Sequence, residues 1–360
     1  VKHALLLAFV PALALASHVA CSRASSGASD AAPRVLVGAG ATLPYPLYSK
    51  WAADYARVDP AVRINYQSIG SGAGIRQMTD GVVDFGATDE PLTDEQVRRA
   101  STRLVHVPTT IGAVVLAFNV PGEHELALTP ELVADIFLGN VARWDDERIR
   151  AVNPARALPS APITVVHRAD GSGTSAALTT YLSKASPAWR TIVGAGTSPR
   201  FPVGVGAKGN EGVTAFVKST PLSLGYVELA YARQAQLAMA SVRNGAGKFV
   251  APSVDAITRA AQSTTIPADP AARISLVDAP DEGAYPIAAV SYVVLPAESR
   301  DRGKAEPLAA FLWWAVHEGQ STASSLDYAP LPPALVARAE RALGELRADG
   351  RPLLAPVANR

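Results

Sequence analysis

Three short segments combine glycines, hydroxyl side chains and one arginine in a way that suits holding an anion. They are Gly38-Ala39-Gly40-Ala41-Thr42-Leu43-Pro44, Ser68-Ile69-Gly70-Ser71-Gly72 and Arg168-Ala169-Asp170-Gly171-Ser172-Gly173-Thr174. Each follows an apolar run and precedes a helical pattern, so each reads as a turn feeding a helix N-terminus. Such a terminus presents unpaired N–H groups and the positive end of the helix dipole. Thr42, Ser71, Ser172 and Thr174 add hydroxyls at these points, and the glycines let backbone amides approach a ligand closely. One such turn is ordinary N-capping. Three of them point to one tetrahedral oxyanion shared between helix ends.

Two charged residues extend the idea. The Arg168 fork matches an oxyanion bidentately, although a surface salt bridge is the plainer alternative. Asp170 either orients Arg168 or is a turn residue. Asp89 follows Asp84-Phe85-Gly86-Ala87-Thr88 and is open to two readings. With Pro91 and Thr93-Asp94-Glu95 just ahead, it is a helix cap. Alternatively it accepts a proton carried by the ligand, which phosphate has near neutral pH and sulfate lacks.

Other chemistry is poorly supported. Gly38-Ala39-Gly40-Ala41-Thr42-Leu43 ends in Leu, which weakens a dinucleotide reading. Neither Ser71 nor Ser172 sits in a GxSxG elbow. His106, His124 and His317 are scattered, and no metal site is expected. His167 reads as a packed histidine, Trp313-Trp314 as core, and Arg98-Arg99 as a solvated helix face. No catalytic residue and no cofactor are nominated.

The turns need elements to hold them. Val35–Val37, Ile64–Tyr66 and Ile163–Val166 read as strands. The following helices carry Leu47, Tyr48, Trp51 and Tyr55 inward, end at Gly81, and run through Leu182, respectively. Thr129 caps a helix opened by Pro130 and stopped by Gly139. Further strands are read at Val114–Phe118, Leu224–Val227 and Ala288–Leu295. A helix is read near Gly212–Lys218, and Pro307 is expected to open an apolar one. Residues 243–284 show no clear periodicity. Strands alternating with helices predict an α/β fold with mainly parallel sheets.

Length and composition agree. The chain has 360 residues, 48% of them apolar, and a net charge of +1. That is globular, about two domains long at roughly 150 residues each, and not the basic excess of a nucleic-acid coat. The single cysteine, Cys21, excludes an internal disulfide. Lys2 and the apolar run Ala4–Ala16 read as a signal peptide over residues 1–20. Ser17-His18-Val19-Ala20-Cys21 resembles a lipobox, with His18 replacing the usual aliphatic residue, so Cys21 is expected to be lipidated. Residues 21–34 are rich in Ser, Ala and Gly and read as a flexible tether.

The motifs resemble the substrate-binding proteins of bacterial high-affinity phosphate ABC transporters. The resemblance rests on the three turns, on Asp84–Asp89, and on Gly206-Ala207-Lys208-Gly209-Asn210-Glu211-Gly212. Gly225-Tyr226-Val227-Glu228 and Leu326-Asp327-Tyr328 extend it over nearly all of residues 35–345. It implies a non-enzymatic phosphate receptor with a two-lobed periplasmic-binding-protein fold, type II-like, and a ligand cleft between lobes joined by a hinge. One lobe would hold residues 35–110 and 285–350, the other 111–284, leaving 351–360 as a tail. The implied phosphate contacts are Thr42, the Leu43 amide, Ser71, Asp89, Arg168, Ser172, Gly173 and Thr174. Arg168 would be held by Asp89 and Asp170. The implied partners are inorganic phosphate and the permease and ATPase subunits of an importer. No nucleic acid is expected, no membrane contact beyond the lipid anchor, and a monomeric state. The alternatives are a receptor for sulfate, molybdate or a phosphonate, and an exported phosphatase-like enzyme using Ser71 or Ser172.

Overall fold

The computed structural model describes residues 32–267, 269 and 272–355. The signal peptide, Cys21, nearly all of the tether and the last residues of the tail lie outside the described residues.

The chain opens with β1 (Arg34–Gly40), α1 (Tyr45–Val58), β2 (Val62–Ser68), α2 (Ser71–Thr79), β3 (Phe85–Thr88) and α3 (Asp94–Arg99). A long strand, β4 (Leu104–Asn119), leads to α4 (Pro130–Leu138). Then come β5 (Thr164–Arg168), α5 (Gly173–Ala185), β6 (Val205–Ala207), α6 (Gly209–Ser219), β7 (Ser223–Glu228), α7 (Leu229–Gln234) and β8 (Ala238–Met239). The last third holds α8 (Val254–Ser263), β9 (Ala288–Pro296), α9 (Arg302–Val316) and α10 (Pro333–Gly344).

The main strands form one path, β2-β1-β3-β9-β4-β7-β5-β6, with β8 also pairing β4. Both flanks are parallel: β1 with β2 and β3, and β5 with β6 and β7. The centre is antiparallel, where β9 meets β3 and β4, and β4 meets β7. The sheet is therefore mixed, not mainly parallel. Strand–helix alternation announces the crossovers, but a strand returning from far along the chain leaves no local signal.

β4 is the common member. Residues 104–113 pair with β9 and residues 114–119 pair with β7. Sixteen residues at about 3.3 Å each make it roughly 50 Å long. Only Val114–Phe118 was legible as strand, because Pro108, Thr109-Thr110 and Gly112 look like breakers. A register shift absorbs them: Ser291 lies opposite Thr110 and Tyr292 opposite Pro108, so Thr109 is extra. A bulge is where a proline can sit in a strand without losing a ladder bond. Thr109 is used there, its hydroxyl bonding Tyr48 at 2.5 Å and the Ser291 carbonyl at 3.0 Å.

Two further expectations change. α9 starts at Arg302, with Asp301 capping it by accepting the Lys304 N–H, and Pro307 lies inside it. Residues 243–284 contain α8, capped by Ser253 and burying Ala256, Ile257, Ala260 and Ala261. Its buried stripe is mostly alanine, which gives periodicity little contrast. The helix read near Gly212 begins at Gly209. Trp51, Trp144 and Trp189 anchor the core, each donating its indole N–H to a backbone carbonyl. No described helix is long and apolar enough to cross a membrane.

Candidate functional site: a buried anion cradle

The three turns converge. Thr42, Leu43, Ser71, Asp89, Arg168, Ser172 and Thr174 are each at most 5% exposed. Hydrogen bonds link the three turns, which leave strands on both flanks of the sheet: Gly72 to Gly171, Gly173 to Ser71, and Asn210 to both Thr42 and Thr174.

The first turn, Ala41-Thr42-Leu43, does not cap α1, which begins at Tyr45 after Pro44. It is held by its carbonyls instead. Tyr66, Tyr231 and Tyr328 donate their hydroxyls to the carbonyls of Ala41, Thr42 and Leu43 at 2.7, 2.7 and 2.6 Å. Burial drives all three phenol pKa values well up, so they remain protonated donors. The Ala41 N–H donates to the Ala87 carbonyl at 2.9 Å, so with three successive carbonyls also occupied the turn has the Thr42 and Leu43 N–H groups and the Thr42 hydroxyl left for a ligand.

The second turn opens α2 at Ser71, with Gly70 before it at φ 91°. A Cβ on Gly70 would lie 2.3 Å from Asp170 Oδ2, so glycine is required on both counts. Gly72 N–H donates to the Gly171 carbonyl at 3.0 Å, which ties the second turn to the third.

In the third turn Ser172 is the N-cap of α5, accepting the Ser175 N–H at 3.1 Å. Gly173 N–H donates to Ser71 Oγ at 3.2 Å. A Cβ on Gly173 would stand 2.5 Å from Asp89 Cβ, so the third helix end presses directly on Asp89.

Arg168 ends β5 and is buried, which removes the surface salt-bridge alternative. Its Nε and Nη2 bond the two Asp170 oxygens at 2.8 and 2.5 Å, and Nη1 reaches Thr174 Oγ1 at 3.3 Å. Its backbone N–H donates to Tyr226 OH at 3.1 Å. Burial alone would raise the Asp170 pKa, but the Arg168 bonds and the Gly209 N–H outweigh it and hold the carboxyl below its usual range. Asp170 is thus an orienting partner rather than a plain turn residue.

Asp89 caps no helix. Thr93 does that work for α3, in a capping box with Gln96. Nor does Asp89 hold Arg168, whose carboxylate partner is Asp170. Ser291 donates to Asp89 Oδ1 at 2.6 Å instead. Burial pushes the Asp89 pKa up to about 7, against the lowering effects of the Ser291 bond and the Arg168 charge.

The hydroxyls share one property. Thr42 Oγ1 accepts from Asn210 N and Nδ2, Ser71 Oγ from Gly173, Ser172 Oγ from Ser175, and Thr174 Oγ1 from Arg168 and Asn210. An N–H on the oxygen leaves each hydroxyl proton free to donate. Four donors are therefore free at the linked turns, one of which presses on the buried carboxyl group of Asp89. Ser71 and Ser172 have no histidine, lysine or carboxylate on their oxygens, as a nucleophile would need.

Ser172→Ala tests this dual use. Losing the cap should cost about 1 kcal/mol in denaturant unfolding. Losing the donor should weaken anion binding by about 1–3 kcal/mol by calorimetry. A binding loss within error would remove Ser172 from the ligand's contacts.

Asn210, Ser291, Tyr66 and Tyr231 were not singled out from sequence. Ser291 had a signal, as the one serine or threonine in the apolar strand Ala288–Pro296. The others had none beyond Asn210 lying in a matched string. His167 stacks on Phe201 at 4.5 Å, consistent with a packed histidine. Among the described residues no group of three or more His, Cys, Asp or Glu could hold a metal ion.

Residues 27–318 match the PBP superfamily domain. The chain is 42% identical over 307 residues to the phosphate-binding protein PstS of Xylella fastidiosa, covering 84% of this chain and 83% of that one. It belongs to the PstS family. The PstS of Haemophilus influenzae is 41% identical over 303 residues, covering 84% and 90%. Among solved structures, a high-affinity periplasmic phosphate-binding protein with bound phosphate superposes with a TM-score of 0.70 at 19% identity, over 86% of this chain and 93% of that one. That likeness is one of fold, and it accords with the two-lobed periplasmic-binding architecture. Membership places the cradle in a family named for the anion that its donors suit.

Proposed function

We propose that the cradle binds inorganic phosphate outside the cytoplasmic membrane and that the chain delivers it to an ABC importer. The observation that carries this reading is the set of four hydroxyls whose oxygens are all occupied by N–H donors, beside Asp89. Phosphate offers many acceptors and one proton, which matches several donors and one carboxylate. The protein is a receptor and not an enzyme, in keeping with its family.

The finer points extend the same reading. The lobes are 35–110 with 285–350, and 111–284, and they close on the ligand by hinge motion. Cys21 carries a lipid anchor after removal of residues 1–20, and residues 21–34 tether a monomer to the membrane. The receptor docks on the permease of an importer driven by an ATPase subunit.

Isothermal titration calorimetry tests the central claim. The chain from residue 22 is unfolded and refolded to strip retained anion, then titrated with phosphate and separately with sulfate, molybdate and a phosphonate. One-to-one phosphate binding with no sulfate heat is expected. Heat with another oxyanion and silence with phosphate would transfer the site to that ligand and sink the phosphate reading.

A further inference from the structure

Asn210 is fully buried in the first turn of α6, and every polar atom of its side chain is used. Nδ2 donates to Thr42 Oγ1 at 2.7 Å and to Thr174 Oγ1 at 3.4 Å. Its backbone N–H also reaches Thr42 Oγ1, at 3.2 Å. Oδ1 accepts the Glu228 N–H at 2.9 Å. That last bond fixes the amide's orientation, since a flipped Asn210 would set donor against donor at Glu228. Thr42 follows β1, whereas Thr174 and Glu228 lie beside β5 and on β7. One amide therefore spans the cradle.

We infer that Asn210 is a positioning residue that makes phosphate donors of Thr42 and Thr174, and that it makes the Thr42 bond only when the two sides of the cradle meet. A threonine hydroxyl in isolation can present either its proton or a lone pair. Nδ2 on the oxygen leaves the proton as the outward group, so the alignment of both hydroxyls is set before the ligand is bound. The inference rests on the phosphate reading and adds a residue that touches no ligand atom.

The test is a double-mutant cycle read by phosphate calorimetry. Asn210→Asp keeps an oxygen for the Glu228 N–H and turns the Nδ2 donor into an acceptor. Thr42 and Thr174 would then point their protons at residue 210. Phosphate affinity should fall at least 100-fold, mainly through faster release in stopped flow. In a Thr42→Val background, with one fewer hydroxyl to misalign, the same replacement should cost at least tenfold less. Asn210→Ser, smaller and uncharged, goes through the same cycle and guards against misfolding or plain charge repulsion by Asp. An equal penalty in both backgrounds, or none with Thr42 intact, overturns the inference. A wild-type chain silent towards phosphate overturns the receptor reading and this inference with it.

Discussion

Arg168→Met should abolish measurable phosphate binding and destabilise the fold. The replacement fills much of the same volume but removes both bonds to Asp170 and the contact with Thr174. Asp170, with 14% of its side chain exposed, would keep only the Gly209 N–H among these bonds. Breaking a buried pair from one side costs about 3–5 kcal/mol, and this partial exposure places the expected loss at about 2–4 kcal/mol. Pairing the change with Asp170→Asn removes the stranded charge, so urea unfolding should recover most of the stability. Phosphate binding should not recover, because the guanidinium is gone. Recovery of both together would mean that Arg168 supports the fold and does not meet the ligand.

Asp89→Asn should separate selectivity from affinity. An ionised carboxylate repels an anion that brings no proton, whereas the asparagine amide can donate to one. The phosphate-over-sulfate ratio measured at pH 8 should fall about 10- to 100-fold, or roughly 1.4–2.8 kcal/mol. An unchanged ratio would end the proton-acceptor role. The raised pKa adds a second expectation. Free wild-type protein holds the Asp89 proton more tightly than the unfolded chain does, so this group's stabilising contribution is complete below the ordinary value of 3.8. It is lost as pH climbs to about 7. The difference corresponds to roughly 4 kcal/mol at most. Without ligand, the variant should gain thermal stability over wild type as pH rises from 4 to 8. Wild-type sulfate binding should strengthen as pH falls below about 7, where Asp89 becomes a donor.

The turns were legible because their chemistry is local. Gly70, Ser71, Ser172 and Gly173 announce helix entries through residue type alone, and Arg168 is four residues from Ser172. What holds the turns was not legible, since it comes from far along the chain. Ser291 reaches Asp89 across 202 positions and Tyr328 reaches the Leu43 carbonyl across 285. Neither residue type at those distances distinguishes a support from an ordinary core hydroxyl. The antiparallel centre of the sheet was missed for the same reason, while Pro307 misled because proline is commoner at a helix start than inside one. α8 was missed for want of large apolar residues, although its Ser253 cap was in plain view.

The shared strand limits how the molecule can be divided. Because β4 gives residues 104–113 to one ladder and 114–119 to the other, neither side is a self-sufficient module. A fragment ending at residue 110 would part β3 and residues 104–110 from their partner β9, which stays with the rest of the chain, and leave both pieces with an apolar edge open to aggregation. Anyone building a split reporter or inserting a fluorophore-bearing domain should cut in the exposed loops instead. Gly122 and Gly247 both sit at positive φ with open space around them, in surface turns that carry none of the cradle's supports. Insertions there leave β4 continuous, and with it the one strand that belongs to both ladders.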